Sequence, residues 1–182
     1  MDAHLIVAAT AAEAAYVPEG LPVVVTGLGK TAAAVATTRA LAGYDDPSGV
    51  TVVNIGTAGA LREGLTGLHE PRAVLNHDIN ADAIRALGYD PQEWIDLGGD
   101  GVVLASGDTF VTDPVVRQRL AEHADLVDME GYAVAFAATS FGVRFRLVKH
   151  VSDNADEGAF DWPALVDASA RELGAWLREH LA

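Results

Sequence analysis

Short runs of consecutive apolar residues recur along the chain, and polar or glycine-rich turns separate them. Unbroken runs of this kind are typical of strands that are buried on both faces of a sheet. We predict strands at residues 5–9, 23–25, 72–75, 102–105, 126–127 and 145–151, and one more inside 49–61. Helices are predicted between and after them, at residues 31–42, within 76–90, from 114 to about 123, after 130 and after 161. This alternation predicts an α/β, three-layer αβα fold around a mostly parallel central sheet.

The last predicted helix carries an apolar stripe with a period near 3.6 residues. The stripe consists of Leu165, Ala168, Leu173, Trp176, Leu177 and Leu181. We therefore expect Trp176 to lie in the core or at an interface rather than against a ligand.

Two glycine-rich segments follow buried strands. Gly27 and Gly29 bracket a tight turn. A second turn is predicted over Gly56, Thr57, Ala58 and Gly59. The letters TGLGKT suggest a P-loop, but that motif requires a glycine where this chain has Val24. Small residues at strand ends let backbone N–H groups approach a ligand, but they also serve packing, and the residues alone leave both interpretations open.

Acidic residues stand at the ends of two predicted strands. Asp128 and Glu130 follow the sixth strand, and Asp153 and Asp156 follow the seventh. Ligands of open α/β sheets bind in the crevice outside the carboxyl ends of the strands, so these acids are candidate site residues. The alternative is that Asp128 caps a helix and that the later acids lie in a solvated turn.

Composition and charge narrow the classes of function. The 182 residues are 50% hydrophobic with a mean hydropathy of +0.19, which predicts one globular domain. The 26 acidic residues against 12 Lys and Arg give a net charge of −14, which disfavours nucleic acid and anionic membranes as partners. No apolar stretch approaches the ~20 residues that cross a bilayer. The absence of cysteine excludes disulfides and thiol chemistry and fits a cytoplasmic protein.

His77, Asp78 and Asp82 form a cluster that superficially resembles a metal site. They lie in a segment that begins as a polar loop and continues as a short helix. Their spacing does not match a ligand set on a helix or hairpin, and no cysteine supports them. We therefore predict no metal and no cofactor.

Five stretches of the chain together resemble the purine nucleoside phosphorylase and nucleosidase superfamily. They are VVVTGLGKTAAAVAT at 23–37, VVNIGTAGAL at 52–61, ASGDTFVTD at 105–113, VDMEGYAVA at 127–135 and VSDNAD at 151–156. They occur in the family's order, and the match is closest to nucleosidases that cleave 5′-methylthioadenosine and S-adenosylhomocysteine. The resemblance implies a twisted mixed central sheet, a purine nucleoside substrate, water as the nucleophile and a homodimer.

The resemblance also assigns roles to three carboxylates. It implies that Glu13 activates the attacking water, that Glu130 binds the ribose 2′- and 3′-hydroxyls, and that Asp153 protonates N7 of the leaving purine. Hydrolysis of an N-glycosidic bond needs these three tasks, and carboxylates suit each of them. From its surroundings alone, Glu13 would instead be a solvated acid in an alanine-rich turn.

Four further residues match the base and ribose subsites of the family. The resemblance implies that Ser152 holds Asp153 in orientation and that Phe110 stacks on the base. It also implies that Val111 pairs with the edge of the base through its backbone and that Met129 packs beneath the ribose. The segments around Gly27 and Gly56–Gly59 are expected near the substrate.

The expected 5′ subsite departs from that of the best-known members. Leu87 stands where relatives often carry an aromatic residue that reaches the partner's site, and the lid with Phe160 and Trp162 is shorter than theirs. We therefore expect weak discrimination between adenosine and methylthioadenosine, or a preference for a larger or more polar 5′ group. Futalosine hydrolase is an alternative for this reason.

Two other functions compete with nucleoside hydrolysis. Members that use phosphate place an arginine where this chain has Asn54, so purine nucleoside phosphorylase activity is disfavoured. A non-catalytic nucleoside-binding protein would keep the fold and bind without releasing a base. Assays of base release, with and without phosphate, separate these functions.

Overall fold

The structure, a computed structural model, describes residues 3–99 and 101–181. Within them the strands are β1 (Ala3–Ala8), β2 (Val23–Val25), β3 (Val50–Ala60), β4 (Leu68–His69), β5 (Ala73–Asn76), β6 (Trp94–Asp96), β7 (Val103–Ser106), β8 (Leu126–Asp128) and β9 (Arg144–Asp153). The α-helices are α1 (Lys30–Leu41), α2 (Ala81–Ala86), α3 (Pro114–Leu120), α4 (Gly131–Ser140) and α5 (Trp162–Leu181). Two 3₁₀ turns, Pro47–Gly49 and Glu157–Asp161, precede β3 and α5.

The strands form a mixed sheet in the order β2-β1-β3-β8-β7-β5-β6, and β9 pairs with both β3 and β4. Strand β3 runs parallel to β1 and β9 but antiparallel to β8. Val52 packs among residues of α1 and α4, and the next residue, Val53, packs among residues of α5. Because neighbouring strand residues point to opposite faces, these helices cover the two faces of the sheet. The predicted three-layer α/β fold is confirmed.

The predicted strands are found with ends that differ by up to two residues. The short strands β4 and β6 were not predicted, because neither stands out as an apolar run. Each pairs antiparallel with one longer strand, β4 with β9 and β6 with β5. No helix in the described ranges 3–99 and 101–181 has the length and apolar character that a bilayer span requires.

The predicted turn at Gly56–Gly59 is wrong, because β3 continues through these residues. The segment stays paired with β9, with a register shift between Ala58 and Gly59. The glycines instead allow side chains from other segments to approach the strand closely. A Cβ on Gly56 would lie 3.1 Å from Glu13 Oε1, and one on Gly59 would lie 3.0 Å from Asp153 Oδ1. Small residues here let two carboxylates pack directly against the strand.

The predicted apolar stripe of α5 is correct at Leu173, Trp176 and Leu177, which are buried, but it is wrong near the start of the helix. Leu165 and Ala168 are exposed, whereas Val166 and Ala170 are buried. The helix starts directly after the 3₁₀ turn Glu157–Asp161, and its packing on β3 and β9 decides which face is covered. The expectation for Trp176 is confirmed, since it is 8% exposed and packs in the core on the α5 side of the sheet.

Candidate functional site

A cavity of about 360 Å³ opens where the ends of β3, β8 and β9 meet the loop after β7 and the start of α5. The predicted site residues that line it are Glu13, Thr57, Ala58, Gly59, Phe110, Val111, Met129, Glu130, Ser152, Asp153, Phe160 and Trp162. Gly27 and Gly56 are not among the lining residues, and neither is Leu87, which is 75% exposed. The fold thus brings predicted site residues that are far apart in sequence, from Glu13 to Trp162, to one cavity.

Glu13 is buried at the wall of this cavity, and so is not a solvated acid. Its carboxylate accepts four hydrogen bonds. Oε2 accepts from the backbone N–H and the hydroxyl of Thr10, both at 3.1 Å, and Oε1 accepts from the backbone N–H and the hydroxyl of Thr57, both at 2.9 Å. The Thr10 oxygen in turn accepts from the Glu13 N–H at 3.2 Å, which completes a capping box at the start of the alanine-rich turn. The sequence signal was therefore present as Thr-x-x-Glu.

Glu130 is also buried and lines the cavity, directly before α4. Its Oε1 accepts a hydrogen bond of 2.7 Å from the backbone N–H of Gly29, in the turn that Gly27 begins. Both glycines have positive φ, 85° and 91°, which explains why this turn requires them. The glycine turn thus contributes a backbone donor to a carboxylate of the site.

Lys149 was not predicted as part of this site. It is 1% exposed in the middle of β9, and its Nζ lies 2.9 Å from Asp128 Oδ2. Asp128 also accepts from the hydroxyl of Ser106 and from the backbone N–H of Gly131. Asp128 thus bonds the first residue of α4, as in the capping alternative, but it is buried and also neutralises a cation. No clear signal in the sequence marked this pair, because β9 also carries Arg144, Arg146 and His150, and of these basic residues only Lys149 is fully buried.

Burial, together with the nearby Asp128 charge, raises the pKa of Glu130 to about 7. The Gly29 N–H and the Lys149 ammonium act in the opposite direction. The Glu130 carboxyl group therefore gains or loses its proton near neutral pH. A bound ligand that donates hydrogen bonds to it favours the ionised form.

Asp153 is the last residue of β9, and its carboxylate is held at both oxygens. Oδ1 accepts from the backbone N–H of Ala155 at 2.8 Å, and Oδ2 accepts from the hydroxyl of Ser152 at 2.7 Å. Ala155 has a φ of 51°, in the left-handed region that few residues other than glycine adopt. This turn aims the carboxyl group of Asp153 at the cavity, and Ser152 makes the contact that the resemblance predicted.

Aromatic rings form the open side of the cavity. Phe110 is 48% exposed, and Phe160 packs edge-on against it with ring centroids 6.0 Å apart. The indole of Trp162 lies deeper and donates a hydrogen bond of 2.8 Å to the hydroxyl of Thr57. Phe160 and Trp162 therefore cover the cavity from the lid, and a flat face of Phe110 remains for a planar ligand.

The cluster of His77, Asp78 and Asp82 does not form a ligand set. Asp78 bonds Lys30 and the backbone N–H of Asp108, and the side chain of Asp82 is fully exposed. Among residues 3–99 and 101–181, no group of three or more His, Asp or Glu side chains is arranged to hold a metal ion.

The cavity lacks a feature that a phosphate site needs. None of the described residues that line it is an arginine or a lysine. Asn54, at the position where phosphate-using members carry arginine, is buried and donates to the backbone oxygen of Val7 at 3.0 Å. Lys149, the buried cation beneath the floor, is already paired with Asp128. The charged side chains that line the site are therefore all carboxylates.

The chain is similar in sequence to curated nucleosidases. The 5′-methylthioadenosine/S-adenosylhomocysteine nucleosidase of Shewanella oneidensis is 30% identical over 183 residues, covering 85% of this chain and 75% of that protein. The protein of the same name from Shewanella sp. strain MR-7 is 29% identical, covering 85% and 80%.

Solved structures share the fold. The native futalosine hydrolase of Helicobacter pylori superposes with a TM-score of 0.82 at 24% identity, covering 98% of this chain and 97% of that one. The 5′-methylthioadenosine/S-adenosylhomocysteine nucleosidase of Neisseria meningitidis, in complex with methylthio-immucillin-A, gives 0.81 at 21% identity, with 98% of each chain covered. The family model described as the phosphorylase superfamily matches residues 16–179. The chain therefore belongs to the phosphorylase superfamily.

Proposed function

We propose that this protein is a purine nucleosidase that hydrolyses the N-glycosidic bond of a 5′-modified adenine nucleoside, such as 5′-methylthioadenosine or S-adenosylhomocysteine, and releases the base. The observation that carries the proposal is the lining of the cavity: Glu13, Glu130 and Asp153 converge on it beside Phe110, and no described cationic side chain lines it. That combination suits water and a nucleoside better than phosphate. The names of the Shewanella relatives support the same substrate class.

The three carboxylates divide the reaction between them. Glu13 takes a proton from the water that attacks C1′ of the ribose. Glu130 accepts hydrogen bonds from the ribose 2′- and 3′-hydroxyls while positive charge develops on the sugar. Asp153 gives its proton to N7 of the leaving base, and the Ser152 hydroxyl, 2.7 Å from Oδ2, stabilises the carboxylate that forms.

The remaining lining residues hold the nucleoside in place. The ring of Phe110 stacks on the purine, the backbone of Val111 pairs with its edge, and Met129 packs beneath the ribose. Phe160 and Trp162 lie on the lid beside the 5′ end. A cytoplasmic location, in keeping with the absence of cysteine, is part of the same proposal.

Base release from purified protein tests this function. The substrates are 5′-methylthioadenosine, S-adenosylhomocysteine, adenosine and futalosine, each with and without inorganic phosphate. We expect the free purine base, which is adenine for the three adenine nucleosides, and free sugar at rates that do not depend on phosphate. Preferred cleavage of futalosine would assign the alternative hydrolase. Sugar 1-phosphate as product would indicate a phosphorylase, and tight binding without release would indicate a binding protein.

Nucleoside affinity is expected to rise as the pH increases from 6 to 8. The pKa of Glu130 is raised to about 7, and its ionised form accepts from both ribose hydroxyls, so protonation below pH 7 removes affinity by up to about tenfold per pH unit. Calorimetry with an adenine C-nucleoside, which has no cleavable N-glycosidic bond, measures this dependence. Glu130→Gln should bind more weakly and lose the pH step. The 2′,3′-dideoxy form of the same C-nucleoside is the control, and the same pH step with it would contradict the assignment.

A homodimer is also part of the proposal. Leu87 and Tyr89, next to α2, are 75% and 71% exposed, and apolar side chains presented in this way fit a contact with a second copy. We expect light scattering to give the mass of a dimer at micromolar concentration, and Leu87→Glu to shift it towards the monomer. A fully active wild-type monomer would contradict the proposal.

A further inference from the structure

Trp162 connects the lid to the floor of the cavity through one hydrogen bond. It is the first residue of α5 and follows the 3₁₀ turn Glu157–Asp161. Its Nε1 lies 2.8 Å from Oγ1 of Thr57, which is part of β3. An indole N–H can only donate, so the Thr57 oxygen is the acceptor in this bond.

The same Thr57 oxygen lies 2.9 Å from Oε1 of Glu13. A hydroxyl carries a single proton, and a carboxylate can only accept, so the Thr57 proton must point at Glu13. The two hydrogen bonds therefore run in one direction, from Trp162 to Thr57 and from Thr57 to Glu13. Each donor polarises the next one, which strengthens the final bond to the carboxylate.

The hydroxyl of Thr57 would have other partners without the indole. It lines the cavity, and a free hydroxyl there can turn between donating to Glu13 and donating to or accepting from cavity water. The indole occupies an acceptor position of the Thr57 oxygen. One fewer acceptor position on Thr57 is then open to cavity water, which favours water that donates to Glu13.

We propose that Trp162 is a positioning residue for hydrolysis: its N–H keeps the Thr57 hydroxyl donating to Glu13, so that the start of α5 and the carboxylate that activates water are coupled. The proposal rests on the proposed role of Glu13 and goes beyond a role of Trp162 as an apolar wall of the 5′ subsite. A wall would act on substrate affinity, whereas a positioning residue acts on the rate of the bound complex.

Two substitutions test this proposal: one removes the N–H of Trp162 and the other removes the hydroxyl of Thr57, and both keep the shape of the side chain. Trp162→Phe keeps a flat apolar ring without the N–H, and Thr57→Val keeps the branched side chain without the hydroxyl. We expect each to lower kcat about tenfold, which is about 1.4 kcal/mol in the barrier. KM and the dissociation constant of adenine should change less than twofold. The double variant should be no slower than Thr57→Val alone, because both changes interrupt the same chain of hydrogen bonds.

Matched variants separate this effect from general damage to the lid. Leu165→Ala changes an exposed apolar side chain in the first turn of α5 that does not line the cavity, and it should leave kcat within about twofold. Thr57→Ser retains a hydroxyl and should keep most of the rate. An unchanged kcat in Trp162→Phe, a loss confined to KM, or additive losses in the double variant would each overturn the proposal.

A spectroscopic measurement tests the bond without reference to activity. The chain has three tryptophans, and the indole N–H resonance missing from Trp162→Phe identifies that of Trp162. It should move upfield and exchange faster with solvent in Thr57→Val. A resonance that does not respond overturns the contact itself. If the wild-type protein releases no base from any nucleoside, the proposed function fails, and the catalytic role of Trp162 fails with it even where the resonance responds.

Discussion

Replacing Asp153 by asparagine is expected to lower the rate of base release by about 10²- to 10⁴-fold, while nucleoside affinity stays within about tenfold. The amide oxygen can still accept from the Ala155 N–H, which bonds Oδ1 at 2.8 Å in the native protein, so the turn after β9 is retained. The amide has no acidic proton to give to N7. Single-turnover release of adenine measures the chemical step, and calorimetry measures the affinity.

Asp156 offers a matched control for this substitution. It lies three positions further on, and its carboxylate caps the 3₁₀ turn Glu157–Asp161 by accepting from the Gly158 N–H at 2.9 Å. It is not among the residues that line the cavity. Asp156→Asn should therefore hydrolyse at close to the wild-type rate. Near-normal turnover by Asp153→Asn would remove Asp153 from the mechanism.

The sequence predicted the architecture well because the buried strands are unbroken apolar runs. Strand β3 is the clearest case, since both of its faces are covered by helices and Val52, Val53 and Ile55 are all buried. The same strand also produced the main error. Gly56 and Gly59 have the residue type of a turn, but they lie in the sheet because carboxylates from two other segments pack against their Cα atoms. Such a tertiary requirement is not visible in local sequence.

The carboxylates of the candidate site differ in how well the sequence predicts them. Glu130 and Asp153 stand at strand ends, where a parallel sheet brings chain segments together. Glu13 lies in a turn of low information, and its burial depends on Thr57, 44 residues further along the chain. Lys149 and Asp128 meet only because β8 and β9 both pair with the last part of β3. Such ion pairs can be predicted only when the order of the strands is known, and the hydrophobic pattern does not give that order.

The lid illustrates a third limit of sequence reasoning. Trp162 was expected near a 5′ group because the lid is short, and the structure does place it on the cavity. Its bond to Thr57 depends on the orientation of the first turns of α5, where the predicted apolar stripe was wrong at Leu165 and Ala168. A rotation of the helix by one residue would direct the indole elsewhere. Positioning interactions between helix and strand side chains therefore need coordinates.

Glu13→Gln is expected to remove hydrolysis, with a loss of about 10²- to 10⁴-fold in kcat, and to leave nucleoside binding intact. An amide cannot take a proton from water. It also fits its surroundings poorly, because all four native partners of the carboxylate are donors, from Thr10 and Thr57. The new NH₂ group must face at least one backbone N–H, so the variant should also unfold at a lower temperature.

Thr10→Val separates the two effects of that substitution. It removes the hydroxyl of the capping box but leaves the Glu13 carboxylate and both Thr57 donors in place. We expect it to lose about 0.5–2 kcal/mol of unfolding free energy, the usual cost of a lost cap, and to keep most of its kcat. Thermal unfolding and single-turnover kinetics on both variants give the comparison. If Glu13→Gln loses stability to the same extent as Thr10→Val and still hydrolyses bound nucleoside at the wild-type rate, Glu13 is a structural residue that anchors the turn, and the water must be activated by another group.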